Sequence, residues 1–418
     1  MDAVTVGVLG QRWRATVTPW GAVEQWDDLG RLDWYVAADD RWHVPADEPT
    51  VRQRSIDGTP VVETRVRIPS GDAVQRVYAV ADHGGLTIVE VENDSPLPIA
   101  VAFTGAELCA IRPPTDVPIK GIDLHGPVTT FPVGHRATLT VALVHTAGGP
   151  KALPTSLSTA AQVSRGWLAL CERASRLLVP DTALGESVVR ARCELLLGGP
   201  DEPTDDPVGF LLGVGELVRM GSRAEDWMPD VAEGIAGLAA QLDDVLLDAA
   251  LDAAERVCRA ATDERAGRDL RRVRERLLAD RERRGLAPGA GDEAVGARLI
   301  ATVERSIAAG QRLFPAGLPD SWLGQQLEVY GVPTGPASAV SFAVRWHGPR
   351  PALIWEQTGD AVELLAPVAA PAWSSTERTG EALWPAPSGS VPTADLDEAP
   401  PAAPSPPPMP GSDDISFG

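Results

Sequence analysis

Val62, Thr64, Val66 and Ile68 alternate with Glu63, Arg65 and Arg67, and this period of two is what most restricts the fold of the N-terminal third. A period of two puts the apolar set on one face of a strand and the charged set on the other. Similar Val-, Thr-, Ile- and Trp-rich runs recur from Val4 to about Val144, with Ser70-Gly71-Asp72 and His83-Gly84-Gly85 as hairpin-type turns between them. No helical period intervenes, so residues 1–150 are expected to form an antiparallel β-sandwich. Asn93-Asp94-Ser95 reads as a turn in this stretch.

The period changes near Leu153. Residues 156–178, 182–197, 207–220, 223–243, 245–260, 262–284 and 292–309 each read as a helix, giving a helical domain over 151–324. Asp206 before Pro207 is an N-cap with proline at the first helical position, and Gly221 is placed to close that helix. Ser222 with Glu225 matches a capping box, and Val295, Leu299, Val303 and Ile307 make an apolar stripe that ends at Gly310. The segment 263–284 alternates in charge around Leu270, Val273 and Leu277, as a solvated helix does. GLAPGAG (285–291) is a flexible break and not a nucleotide loop, because no strand precedes it and no GK[ST] follows.

Strands return in 325–384. In SFAVRWHGPRPALIWE (341–356) a four-residue loop, Gly348 to Pro351, pairs Trp346 with Leu353 and Val344 with Trp355, putting both indoles on an apolar face. Residues 385–418 contain ten prolines and no basic residue, so they are expected to be disordered, with SDDISFG as a candidate docking peptide. The fold class is therefore α+β: an N-terminal sandwich, a central helical-hairpin domain, returning C-terminal hairpins and a Pro-rich tail.

A net charge of −21 opposes nucleic-acid or anionic-membrane binding. No apolar run approaches transmembrane length and the first residues do not read as a signal peptide, which gives a cytoplasmic assignment. Cys109, Cys171, Cys193 and Cys258 form no CxxC pair, and the six histidines lack metal-ligand spacing, so no metal and no cofactor is expected. There is no GxSxG elbow, and GVLGQRW lacks a dinucleotide-binding pattern.

VEVENDSPLPIAVAF (89–103), RPALIWE (350–356) and WSSTERTGEALW (373–384) resemble the sandwich and terminal segments of toroid-type glycoside hydrolases of the glucoamylase and glycogen-debranching group. The resemblance implies a partial α/α toroid in the middle and an oligosaccharide or α-glucan ligand. About seven helices fit between Leu153 and Gly324 where a full toroid has twelve, which implies an abbreviated helical domain and degenerate catalysis.

Glycoside hydrolysis needs two carboxylates across a cleft, about 5 to 5.5 Å apart for retention and farther for inversion. Glu216, Asp226 and Asp320 are the candidates, on an inner-helix position or beside tryptophan. Glu216 lies opposite the apolar side formed by Phe210, Leu211, Val214, Leu217 and Val218, so it faces either a cleft or water. Trp34, Trp42, Trp227 and Trp322 are candidates for stacking on sugar rings, against a core-filling role for each. The alternative function is a non-enzymatic scaffold that meets a protein partner through its charged helix and its 385–418 tail.

Overall fold

A computed structural model describes residues 3–26, 30–145, 152–154, 156–286 and 294–387. Its N-terminal part is two sheets packed face to face. One runs, in spatial order, through Val4–Gly7, Arg14–Val17, Val23–Gln25, Arg31–Ala37, Ile99–Thr104 and Val128–Val133, with Trp42–His43 added onto Arg31–Ala37. The other runs through Cys109–Ala110, Thr138–Val144, Leu86–Asp94, Gly71–Val80, Val62–Ile68 and Arg52–Ser55. Val17, Val36, Val101 and Phe103 of the first sheet share a core with Val66, Val77, Val89 and Val141 of the second. Val62, Thr64, Val66 and Ile68 do fall on one buried face. Glu63, on the opposite face, is buried as well, because Arg54, Arg65 and Arg76 close over it.

Seven α-helices follow among the described residues: α1 (Ala160–Cys171), α2 (Thr182–Gly198), α3 (Pro207–Met220), α4 (Met228–Gly237), α5 (Leu247–Ala260), α6 (Glu264–Arg283) and α7 (Gly296–Ile307). Asp206 caps α3 by accepting from the Gly209 amide, and Gly221 ends it in a left-handed conformation. Charge on α6 is spent partly on α5, where Arg274 donates to Asp252 and Arg271 to Glu255.

Three local expectations are corrected. The helix expected over 156–178 stops at Cys171, and Arg176–Leu178 instead becomes the edge strand of a C-terminal sheet. Ser222 and Glu225 form no capping box: a short 3-10 turn, Ala224–Trp227, begins after Arg223 without a side-chain cap, and the regular helix starts only at Met228. The apolar stripe of α7 is Ile300, Val303 and Ile307, while Val295 precedes the helix and is exposed. The GLAPGAG expectation falls largely outside the described residues, as does nearly all of the 385–418 tail.

The C-terminal part has a five-stranded sheet, Arg176–Leu178, Leu327–Pro333, Ser338–His347, Arg350–Gly359 and Thr379–Leu383. A four-stranded sheet, Ala308–Ala309, Arg312–Leu313, Leu364–Ala366 and Ala370–Ser375, packs against it through Phe314, Phe342, Trp355 and Trp384. The hairpin at Gly348 is tighter than expected. His347 pairs with Arg350, Trp346 with Pro351, Val344 with Leu353 and Phe342 with Trp355. Gly348 at φ +58° permits the two-residue turn. The register moves by two residues, which preserves parity, so Val344, Leu353 and Trp355 are still buried and Ile354 exposed.

Candidate functional site

α3 is buried almost all round, between α5, α7, α4 and α2. Close approach is built into it: a Cβ on Gly215 would stand 2.7 Å from that of Ala253 on α5. A charged side chain on such a helix has no water to face, and Glu216 is 5% exposed. Of the two alternatives of the sequence reading, the solvated Glu216 gives way: the carboxylate is enclosed by arginines and borders a small cavity.

Arg192 of α2 donates from Nε to Glu216 Oε1 at 2.6 Å, and Arg219 donates from Nη1 to Glu216 Oε2 at 2.6 Å. The same Arg219 Nη1 donates to Glu304 Oε2 of α7 at 2.8 Å. Glu304 Oε1 accepts from Arg192 Nη2, Arg219 Nη2 and Ser175 Oγ at 3.0, 2.9 and 2.6 Å. Arg192 Nη2 also donates to Ser175 Oγ at 2.6 Å, and bonds to backbone run from Arg192 Nη1 to Ser175 O and from Arg219 Nη2 to Ala174 O and Gly331 O. All four charged side chains are less than a tenth exposed. Two cations and two anions thus form a neutral quartet that ties α2, α3 and α7 to the loop before Arg176–Leu178 and to the strand Leu327–Pro333.

Burial alone would push the Glu216 carboxyl up, but the charges of Arg219 and Arg192 outweigh it and hold it at about 2. Burial would lower the Arg219 guanidinium, and Glu216 and Glu304 reverse that and raise it. A glycosidase acid needs the opposite shift, upward, so that it carries a proton to give. Both Glu216 oxygens are also occupied by guanidinium donors.

Beside the quartet lies a cavity of about 60 Å³ lined by Glu216, Arg219, Asp252, Arg256, Glu304 and Arg305. It has space for a few water-sized groups and not for a pyranose ring. Across Arg192 a second cavity of about 480 Å³ is walled by aliphatic residues such as Leu168, Val179 and Val188 together with polar ones that include Asp57, Glu172 and Glu186. No tryptophan lines either one.

The other sequence candidates lie elsewhere. Asp226 is exposed on the 3-10 turn before α4, and Asp320 is exposed at the start of another 3-10 turn, Asp320–Trp322. Trp34 is 2% exposed in the sandwich core with its indole N–H donated to Trp20 O. Trp42 is buried at the sandwich edge, Trp322 in the C-terminal core, and Trp227 is half-buried between helices. Trp34, Trp42 and Trp322 take the core-filling role set against stacking, while Trp227 stays partly exposed. The residues that do assemble around Glu216, namely Ser175, Arg192, Arg219, Arg256, Glu304 and Arg305, were missed. One signal for them was available: PVGFLLGVGELVRM is apolar on every side, so its only two charged residues had to be paired internally.

The four free cysteines are buried, and Cys171 and Cys193, distant in sequence, bring their Sγ atoms to 3.6 Å. Among the described residues no group of three or more His, Cys, Asp or Glu is placed to hold a metal ion, and no helix is long and apolar enough to cross a membrane. No protein-family model matches the chain, and no curated protein gives a significant match.

Proposed function

We propose that this chain is a glycosidase-like binding protein without hydrolytic activity, in which the inner-helix position of the toroid enzymes carries a structural ion quartet in place of an acid-base pair. The observation that carries this reading is the double clamp on Glu216, ionised at about 2 and bonded through both oxygens to Arg192 and Arg219. The order of the chain, sandwich, then helices, then returning strands, supports the architectural half of the proposal. The partial toroid belongs to the same proposal.

The ligand implied by the domain order is an oligosaccharide or α-glucan, bound without turnover. Trp26 favours this class: it is 59% exposed at the sandwich edge, and its indole N–H is fixed by Thr16 Oγ1 at 2.7 Å, so a rigid ring face is presented to solvent. Calorimetry with malto-oligosaccharides tests it. Binding that weakens in Trp26→Ala, together with no release of reducing ends, is the expected result. Hydrolysis by the native chain that disappears in Glu216→Gln would reverse the reading.

A further inference from the structure

We propose that the small cavity between α3, α5 and α7 is a binding site for a phosphate group, either free or carried as a monoester. Its lining holds three acids and three arginines, and a positive surplus arises because Arg192 and Arg274, from outside the lining, also pair with those acids. Within the quartet, Arg192 and Arg219 balance Glu216 and Glu304, and all four carboxylate oxygens accept from one of these guanidiniums. Asp252, the third acid of the lining, is held by Arg274 at 2.6 Å. Arg256 of α5 and Arg305 of α7 remain, and neither has a carboxylate within ion-pair distance among the described residues. Arg256 makes a single protein hydrogen bond, from Nη2 to Gly335 O at 3.3 Å, which leaves most of its guanidinium donors without a protein acceptor.

A guanidinium retained beside a second, largely buried one is costly unless a counter-anion completes it. Burial and then the nearby Arg219 charge depress the Arg256 guanidinium to about 10, although Glu216, Glu304 and Asp252 act in the opposite direction. Planar guanidinium forks match the oxygens of a tetrahedral oxyanion, and two arginines without a direct ion pair can supply donors and charge to a phosphate group near neutral pH. A cavity of about 60 Å³ has room for a group of this size. The remaining wall, Leu212, Ala253, Ala297, Ile300 and Ala301, is apolar and keeps the local dielectric low. In a chain of net charge −21 this surplus of positive charge is local and specific.

The test is calorimetry on the full chain in chloride buffer with inorganic phosphate and, separately, glycerol 3-phosphate. Thermal melting of the same samples supplies a second readout. Saturable binding of at least one probe at up to millimolar concentration is expected, weakened about tenfold or more in Arg256→Met and in Arg305→Met. Arg256→Lys should keep part of the affinity, and Arg283→Met, on the exposed side of α6, all of it. Without phosphate, Arg256→Met should melt no lower than the native chain, and phosphate should no longer raise its melting temperature. Tighter binding of the ester assigns the site to an esterified ligand; binding of inorganic phosphate alone assigns it to the free ion. Failure of both probes to bind or shift the melt overturns the proposal, as does affinity unchanged in both Arg256→Met and Arg305→Met. Each result stands apart from the presence or absence of glycan hydrolysis.

Discussion

Replacing Glu216 by glutamine keeps the shape of the side chain and removes one of the two negative charges that hold Arg192 and Arg219 in the interior. An isolated glutamate titrates at 4.5, and Glu216 at about 2. At about 1.4 kcal/mol per pH unit, the folded state gains about 3 kcal/mol from this carboxylate at neutral pH. Breaking a buried ion pair from one side costs about 3 to 5 kcal/mol, so two routes converge. Because the folded value is depressed, the contribution is complete above about 4.5 and is lost as pH falls toward about 2. Urea unfolding followed by tryptophan fluorescence is a suitable assay, since Trp167 and Trp227 pack against the helical cores. Glu216→Gln should be less stable by about 3 kcal/mol at pH 7, and the gap should be smaller by about 1 kcal/mol near pH 3.5, where the unfolded glutamate is mostly protonated. A gap below about 0.5 kcal/mol at pH 7, within the range of ordinary surface substitutions, would refute the quartet as a stabilising element. A gap that does not shrink with acid would refute the electrostatic explanation of it.

Gly58 has φ +72°, and a Cβ there would stand 2.3 Å from Glu186 O on α2, so Gly58→Ala should cost about 1 to 3 kcal/mol and loosen the contact between sandwich and helices, read as a lower urea midpoint. Trp384 is 1% exposed against Phe314 and Trp373 and donates its backbone N–H to Pro351 O; Trp384→Ala should cost about 3 to 5 kcal/mol, whereas a chain ending at residue 387 should melt with the native one. All four thiols are buried, and the Cys193 thiol is pushed well up by its hydrogen bond with Cys171 and by burial. A thiol-specific reagent at neutral pH should therefore label the native chain only on the timescale of unfolding and all four sites in denaturant, and rapid native labelling would contradict the packing of α1 against α2.

The parts of the fold that could be read from the sequence are those set by neighbours along the chain. Alternation at Val62 to Ile68, the Asp206-Pro207 start and Gly221 stop of α3, and the turn at Gly348 are each decided within a few residues. One misreading has its cause in contacts made across the chain. Arg176–Leu178 has a mildly helical composition, yet it becomes a strand because Leu327–Pro333 offers it a sheet edge. The Gly348 hairpin was read with a loop two residues too long, an error that parity forgives, because side chains keep their faces under an even shift of register.

The site was less legible, for a reason that can be stated in distances along the chain. Arg192 meets Glu216 across 24 residues, Arg219 meets Glu304 across 85, and Arg192 meets Glu304 across 112. No local pattern encodes such pairs, and a helical wheel treats the side opposite the apolar stripe as free. That assumption fails for α3, whose polar side is covered by α2 and α7 and whose two charges therefore need partners from elsewhere. An apolar replacement of the same volume could fill the space at similar or lower free-energy cost, so packing alone does not account for the quartet. What charges supply and methyl groups do not is direction: Arg219 fixes the two carboxylates, the Ala174 and Gly331 carbonyls and thereby the relative placement of three helices and a sheet. The same rigidity holds Arg256 and Arg305 beside a small cavity without a direct ion pair, and this arrangement, unlike the acidic residues abundant in the sequence, is specific enough to select a ligand.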